Sequence, residues 1–151
     1  MLHQPPHKVL LAEDDREVRE TLTLWLMLAG YEVSIAEHGI DVIFLLQSTV
    51  PDVVIYSLSL PAVPGYDVLT AIRVRHAEIS VVAMANSRFL DETDGVFSDG
   101  FHCDGVFSDG LYIKDKHTPD LLLRKVADLL RSSGSHFIEN QKENAIALRA
   151  S

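Results

Sequence analysis

The chain has 151 residues, 47% of them apolar, which is enough for the core of one domain. Thirteen basic residues against 22 acidic ones give a formal net charge of −9, and no basic stripe could neutralise a phosphate backbone, so nucleic-acid binding is not expected. A single cysteine (Cys103) excludes an internal disulfide, no apolar run reaches membrane-spanning length, and MLHQPPHK lacks a signal-peptide core, which predicts a cytoplasmic protein with no membrane partner.

His7 to Asp15 (HKVLLAEDD) opens the ordered chain after a six-residue tail. Val9, Leu10, Leu11 and Ala12 read as a short strand buried on both faces, followed at once by Glu13, Asp14 and Asp15. Adjacent carboxylates raise one another's pKa unless water, a cation or a basic side chain sits among them, and oxygen ligands suit a hard cation such as Mg²⁺. Ligands in open α/β sheets also bind beyond the carboxyl ends of strands. The alternative is a solvated helix start, where acids complement the helix dipole.

Val18, Leu22, Trp25, Leu26 and Ala29 then recur at helical spacing, with Gly30 as the stop. Tyr31–Ala36 alternates like a strand, and His38–Ser48 reads as a helix packed on a sheet. Asp52–Leu60 opens as a buried strand that Pro61 stops, and Pro64-Gly65 leads into a helix carrying Val68, Leu69 and Ile72. Ile79–Ala85 is a fourth buried strand, and Leu111–Lys114 a last one. Thr118-Pro119-Asp120 starts a helix with Leu122, Val126, Leu129 and Leu130 on one face. Such alternation implies βαβ units and a parallel sheet.

The alternation breaks after Asp91. Asp-Gly falls at 94, 99, 104 and 109, and DGVFSDG occurs twice at a spacing of ten. Asp-Gly favours tight hairpin turns and its neighbours are strand formers, so a small β-meander is predicted. Calcium ligation would need donors at every second residue, which this spacing lacks. The final HFIENQKENAIALRAS has weak helical periodicity and reads as either a docked helix or a frayed tail.

VLLAEDDREVRETL, PDVVIYSLSLPAVPGYDVL and YIKDKHTPDLLLRKV together resemble the receiver domain of bacterial two-component response regulators over about residues 7–131. The resemblance implies a flavodoxin-like three-layer α/β sandwich, a five-stranded parallel sheet of order 2-1-3-4-5, and a site at its carboxyl edge. Residues 1–6 and 132–151 are then tails, and the repeat at 94–110 stands in place of the fourth helix. The family's Mg²⁺ ligands fall on Glu13, Asp14 and the backbone of Ser59, and its phosphate-binding lysine on Lys114. Its phosphoryl-accepting aspartate falls on Ser57 and its hydroxyl switch residue on Ala85.

A serine hydroxyl needs an adjacent base to become a nucleophile, and a methyl cannot hydrogen-bond a phosphoryl oxygen. The expected protein is therefore a stand-alone degenerate receiver, not an enzyme, that acts by protein–protein interaction and binds Mg²⁺ weakly if at all. Lys114 pairing with Asp14 would close the pocket instead. Expected partners are a histidine kinase or another regulator, or a second copy through the 94–131 face, where Phe97, Phe101, Phe107 and Tyr112 form a contact patch or cover the sheet edge. The alternative function is residual phosphoacceptance with Mg²⁺, on Ser57 or on a displaced carboxylate such as Asp14 or Asp15. A Ser57 hydrolase is a poor fit, because Tyr56 and Leu58 flank the serine where a nucleophile elbow needs small residues.

Overall fold

The computed structural model describes residues 5–61, 68–88, 96–97, 100–103, 106–107 and 109–132. In chain order they form β1 (Lys8–Ala12), α1 (Arg16–Leu28), β2 (Glu32–Ala36), α2 (Gly39–Ser48), β3 (Val53–Ser57), α3 (Val68–Arg75), β4 (Ser80–Ala85), β5 (Val96–Phe97), β6 (Gly100–Cys103), β7 (Val106–Phe107), β8 (Gly110–Ile113) and a helix over 119–132, α4.

Five strands make one parallel sheet of order β2-β1-β3-β4-β8, the expected 2-1-3-4-5 order with β8 as its fifth strand. Strand alternation explains the continuous apolar runs. Val9, Leu11, Val53, Ile55, Val82 and Met84 face one way, onto Leu22 and Leu26 of α1 and Leu122 and Val126 of α4. Leu10, Ala12, Val54, Tyr56 and Val81 face the other way, onto Val42 of α2 and Val68 and Ile72 of α3. A strand covered on both faces has no polar side to show, which is the sequence signature of a central parallel strand.

The helix ends follow local chemistry. Asp15 caps α1, its Oδ1 accepting from Val18 N at 3.0 Å. Gly30, at φ +95°, closes the other end: its N–H donates to Met27 O and that of Tyr31 to Leu26 O, the paired bonds of a Schellman turn. Trp25 and Ala29, read from the sequence as part of the buried stripe, are exposed, because the inward arc of α1 is narrow and centred on Leu22 and Leu26.

The third strand is shorter than the sequence suggests. It ends at Ser57, not Leu60: Leu58 N makes the last bond of the β3–β4 ladder, to Met84 O at 2.8 Å, and Leu60 N then turns back to Ser57 O at 3.2 Å. The chain thus bends at the carboxyl edge and carries Ser59 over the end of β1.

The Asp-Gly repeat forms the expected meander. β5, β6 and β7 make a three-stranded antiparallel sheet, with Val96 opposite Phe101 and His102 opposite Phe107. β6 runs near β4 and β8, and β7 near α3, so the meander lies on the α3 side of the main sheet. Residues 87–88 are helical, and 89–95, where any remainder of a fourth crossover helix would fall, lie outside the described residues, as do the Pro64-Gly65 turn and the 133–151 tail. No helix among the described residues is long and apolar enough to cross a membrane.

Candidate functional site at the carboxyl edge

Four segments converge where the strands end: Glu13-Asp14 after β1, Ser57 to Ser59 after β3, Ala85 closing β4, and Lys114 after β8. Glu13 continues the line of β1, its N–H donating to Ala36 O at 3.0 Å, which turns the side chain into the fold with no surface exposed. Arg19 holds this corner from α1 by donating to Glu13 O (3.1 Å) and Asp14 O (3.3 Å).

Lys114 is the counter-charge. Its Nζ lies 2.9 Å from both Oε1 and Oε2 of Glu13, with only 7% of its side chain exposed. Oε1 also accepts from Asp15 N at 3.1 Å, whereas Oε2 receives no well-directed hydrogen bond and is fully buried. The sequence expectation that Lys114 would close the pocket on Asp14 is corrected here: it does so on Glu13. Glu13 is the acid that β1 directs inward, and Asp14, one residue on, faces outward.

The second half of the site is a hydroxyl chain. Ser57 Oγ, at 0% exposure, lies 2.7 Å from Ser59 Oγ and accepts weakly from Ser59 N at 3.4 Å. Ser59 Oγ donates to Asp14 Oδ1 at 3.2 Å and accepts from Lys114 Nζ at 3.3 Å. Because Ser59 gives its only proton to Asp14, the proton between the two serines belongs to Ser57. The direction is therefore Ser57 to Ser59 to Asp14. Sequence reasoning gave Ser59 only a backbone role, although the two-residue spacing Ser57-Leu58-Ser59 across a tight bend was a usable signal for paired hydroxyls.

Ala85 is buried, and its carbonyl accepts from Lys114 N at 2.9 Å, which sets the root of the lysine. Two residues on, Ser87 brings a hydroxyl to that loop, but it is spent on Asp115, with Ser87 N donating to Asp115 Oδ1 at 2.7 Å and Ser87 Oγ bonding Oδ2. These donors hold the Asp115 carboxyl below its ordinary value. Asp115 and Ser87 were not singled out in the sequence, since their contact spans 28 positions.

His117 completes the loop behind the lysine. Its Nδ1 accepts from Ile113 N at 2.9 Å, its own N–H donates to Ile113 O at 2.8 Å, and its carbonyl accepts from Tyr112 Oη at 3.1 Å. An accepting Nδ1 requires a neutral ring. Burial, with help from Lys125 and Lys116 and against Asp115, lowers the pKa of His117.

The acidic triplet thus splits by role: Glu13 is paired, Asp14 ends a hydroxyl chain, and Asp15 is an N-cap. Among the described residues, no cluster of three or more His, Cys, Asp or Glu side chains is arranged to hold a metal ion. The donors fit a hard cation in kind, with Glu13 Oε2 held by the Lys114 ion pair alone, but fall one carboxylate short at Ser57.

A doubly wound parallel sheet with an inward acid, an outward acid and a lysine at its carboxyl edge defines a receiver-type signalling domain. The sequence profile of the response regulator receiver domain matches residues 9–101, and the chain belongs to that family. "Response regulator MprA" of Mycobacterium sp. (strain KMS) is 29% identical over 79 residues, which cover 52% of this chain and 34% of that protein. "Transcriptional regulatory protein PrrA" of Mycobacterium leprae is 29% identical over 85 residues, covering 56% of this chain and 36% of that one. The matched segment thus spans about a third of these relatives. Among solved structures, a CheY-like receiver domain from Methanospirillum hungatei superposes with a TM-score of 0.69 at 17% identity, over 87% of this chain and 98% of that one. TrrA of Thermotoga maritima, solved in complex with Mg²⁺ and BeF, gives 0.64 at 24% identity, over 82% and 98%.

Proposed function

We propose that the chain is a degenerate receiver domain that works in two-component signalling by protein–protein contact, without aspartyl phosphorylation and without enzymatic activity of its own. The observation that carries this reading is Ser57: the last residue of β3 presents a buried hydroxyl where transfer needs a carboxylate in line with the donor. The neutral hydroxyl leaves Lys114 to Glu13, so the pocket carries its own cation. Mg²⁺ binding is correspondingly weak, since the ion must compete with an ammonium already 2.9 Å from the Glu13 oxygens. The partner is a histidine kinase or another regulator, with a second copy on the 94–131 face as a further contact. The net charge of −9 argues against a nucleic-acid surface on this domain.

Intact-mass spectrometry after incubation with Mg²⁺ and acetyl phosphate tests the reading. The parent protein gains no phosphoryl group, and Ser57→Asp, which returns the third carboxylate, gains one that hydroxylamine removes. A hydroxylamine-labile adduct on the parent would place the acceptor on Asp14 or Asp15 and overturn the proposal. A hydroxylamine-stable adduct lost in Ser57→Ala would favour a second reading, in which Ser57 is the acceptor. The Ser57–Ser59–Asp14 hydrogen-bond direction supports that reading, because it offers the serine proton a route to a carboxylate.

A further inference from the structure

β8 is the last strand of the parallel sheet, and at its carboxyl end the outer margin is closed by its own chain. Lys114 N donates inward to Ala85 O of β4, so the backbone groups of Ile113, one residue earlier, point away from the sheet. One turn takes both of them. Ile113 O accepts from Lys116 N at 3.2 Å and His117 N at 2.8 Å, and Ile113 N donates to His117 Nδ1 at 2.9 Å. Enclosed by that turn are Lys114, whose Nζ lies 2.9 Å from both Glu13 oxygens, and Asp115, which is clasped to Ser87.

We propose that His117 is a proton-operated latch: the neutral ring pins the 113–117 turn that seats Lys114 on Glu13, and protonation of the ring releases that turn. Of the three bonds that close it, only the one at Nδ1 depends on the charge of the ring. A proton there sets two donors against each other and leaves the Ile113 N–H unpaired, so the ring must swing out. The groups around it favour that exit. Burial weighs most against the charged form, Lys125 of α4 and Lys116 of the turn repel it, and Asp115 draws it outward in competition with Ser87. Tyr112 of β8 lies against the ring, centroids 5.7 Å apart, and stays a neutral phenol because burial and the Asp120 charge raise its pKa. The latch rests on the turn and holds whether or not Ser57 accepts a phosphoryl group, and its readout is separate from the mass test of that acceptance.

Hydrogen exchange of the full chain, followed by NMR as pH is lowered through 6.5 and corrected for intrinsic rates, tests the latch. Opening at the Ile113 and Lys114 amides and at the Lys114 ammonium rises by about tenfold per pH unit below 6.5 until the folded ring itself titrates. The core amides of Leu11 and Ile55 remain far better protected than either. His117→Gln, which keeps an acceptor without a titrating group, makes the opening independent of pH across that window, and His117→Ala raises it at every pH. Opening that is flat with pH in the parent, or as steep in His117→Gln, overturns the proposal. So does exchange at Ile113 and Lys114 no faster than at Leu11 and Ile55, because the proton would then act only through unfolding of the whole domain. Ammonium exchange that stays constant while the two amides open would sever the turn from the pocket and overturn it as well.

Discussion

Lys114 and Glu13 form the most buried ion pair of the described fold, and such a pair costs more to break than it contributes whole, because one charge is left stranded without water. Lys114→Met therefore lowers stability by about 3–5 kcal/mol in urea titrations, while Glu13→Gln/Lys114→Met recovers part of the loss because no bare charge remains. A double variant as unstable as the sum of its parts would show that the two groups are not coupled. His117 gives a pH signature. Its folded pKa lies below the ordinary 6.5, so between those two values the unfolded chain binds more protons than the native one. Stability is complete above 6.5 and falls as pH drops through that window. The parent's melting temperature should decline there, and His117→Ala, which removes the titrating group and the acceptor for Ile113 N, should melt lower above the window and lose most of the slope. The sequence located most of this chemistry, since Glu13, Asp14, Ser57, Ala85 and Lys114 all meet at one edge. It missed which acid the lysine takes, because one residue of phase after β1 decides which carboxylate faces inward, and it missed Ser59, Ser87 and His117, whose roles depend on loop geometry.

Elements were legible where periodicity is strong and blurred where side chains fix the ends. All five sheet strands and the helices were readable from apolar spacing and caps, whereas the end of β3 was not, because the backbone turn that ends it, Leu60 N to Ser57 O, falls inside a run whose apolar pattern continues to Leu60. The same holds at the start of β8. Asp109, in the last Asp-Gly of the repeat, reads as a turn residue, yet its Oδ2 accepts from Val81 N and from Arg73 Nη2, both at 2.7 Å, and so ties β8 to β4 and α3. Arg73 Nη1 adds a bond to Ile79 O at 3.3 Å. Asp109→Ala strands the N–H of a buried strand residue and removes one ion pair from Arg73, at a cost of about 1–3 kcal/mol. Asp109→Asn keeps an acceptor for Val81 and should lose distinctly less in the same denaturant series. Equal losses would mean that the aspartate acts only as a turn former.

At the scale of the molecule, the repeat is the one feature foreign to an alternating α/β chain, and its two copies differ in what they are tied to. Only the second copy contains Asp109, and it leads directly into β8, which contributes Leu111 and Tyr112 to the core. The first copy supplies β5 and the start of β6 to the meander and the second supplies β7; these strands pair with one another and lie along β4, β8 and α3 without entering the parallel ladder. Removing residues 94–103 therefore deletes one ten-residue unit, keeps DGVFSDG ahead of β8, and shortens the β4–β8 connection, a change that costs little because closure entropy depends only logarithmically on length. The deletion variant is expected to unfold in one cooperative transition with far-UV circular dichroism close to that of the parent. The face over Ala83 and Leu111, which the meander lies along, should then open to solvent. It should bind an apolar dye and self-associate more than the parent, as an uncovered apolar sheet face does. If the shortened chain instead failed to fold, the meander would be part of the core's closure and not a duplicated cover laid upon it.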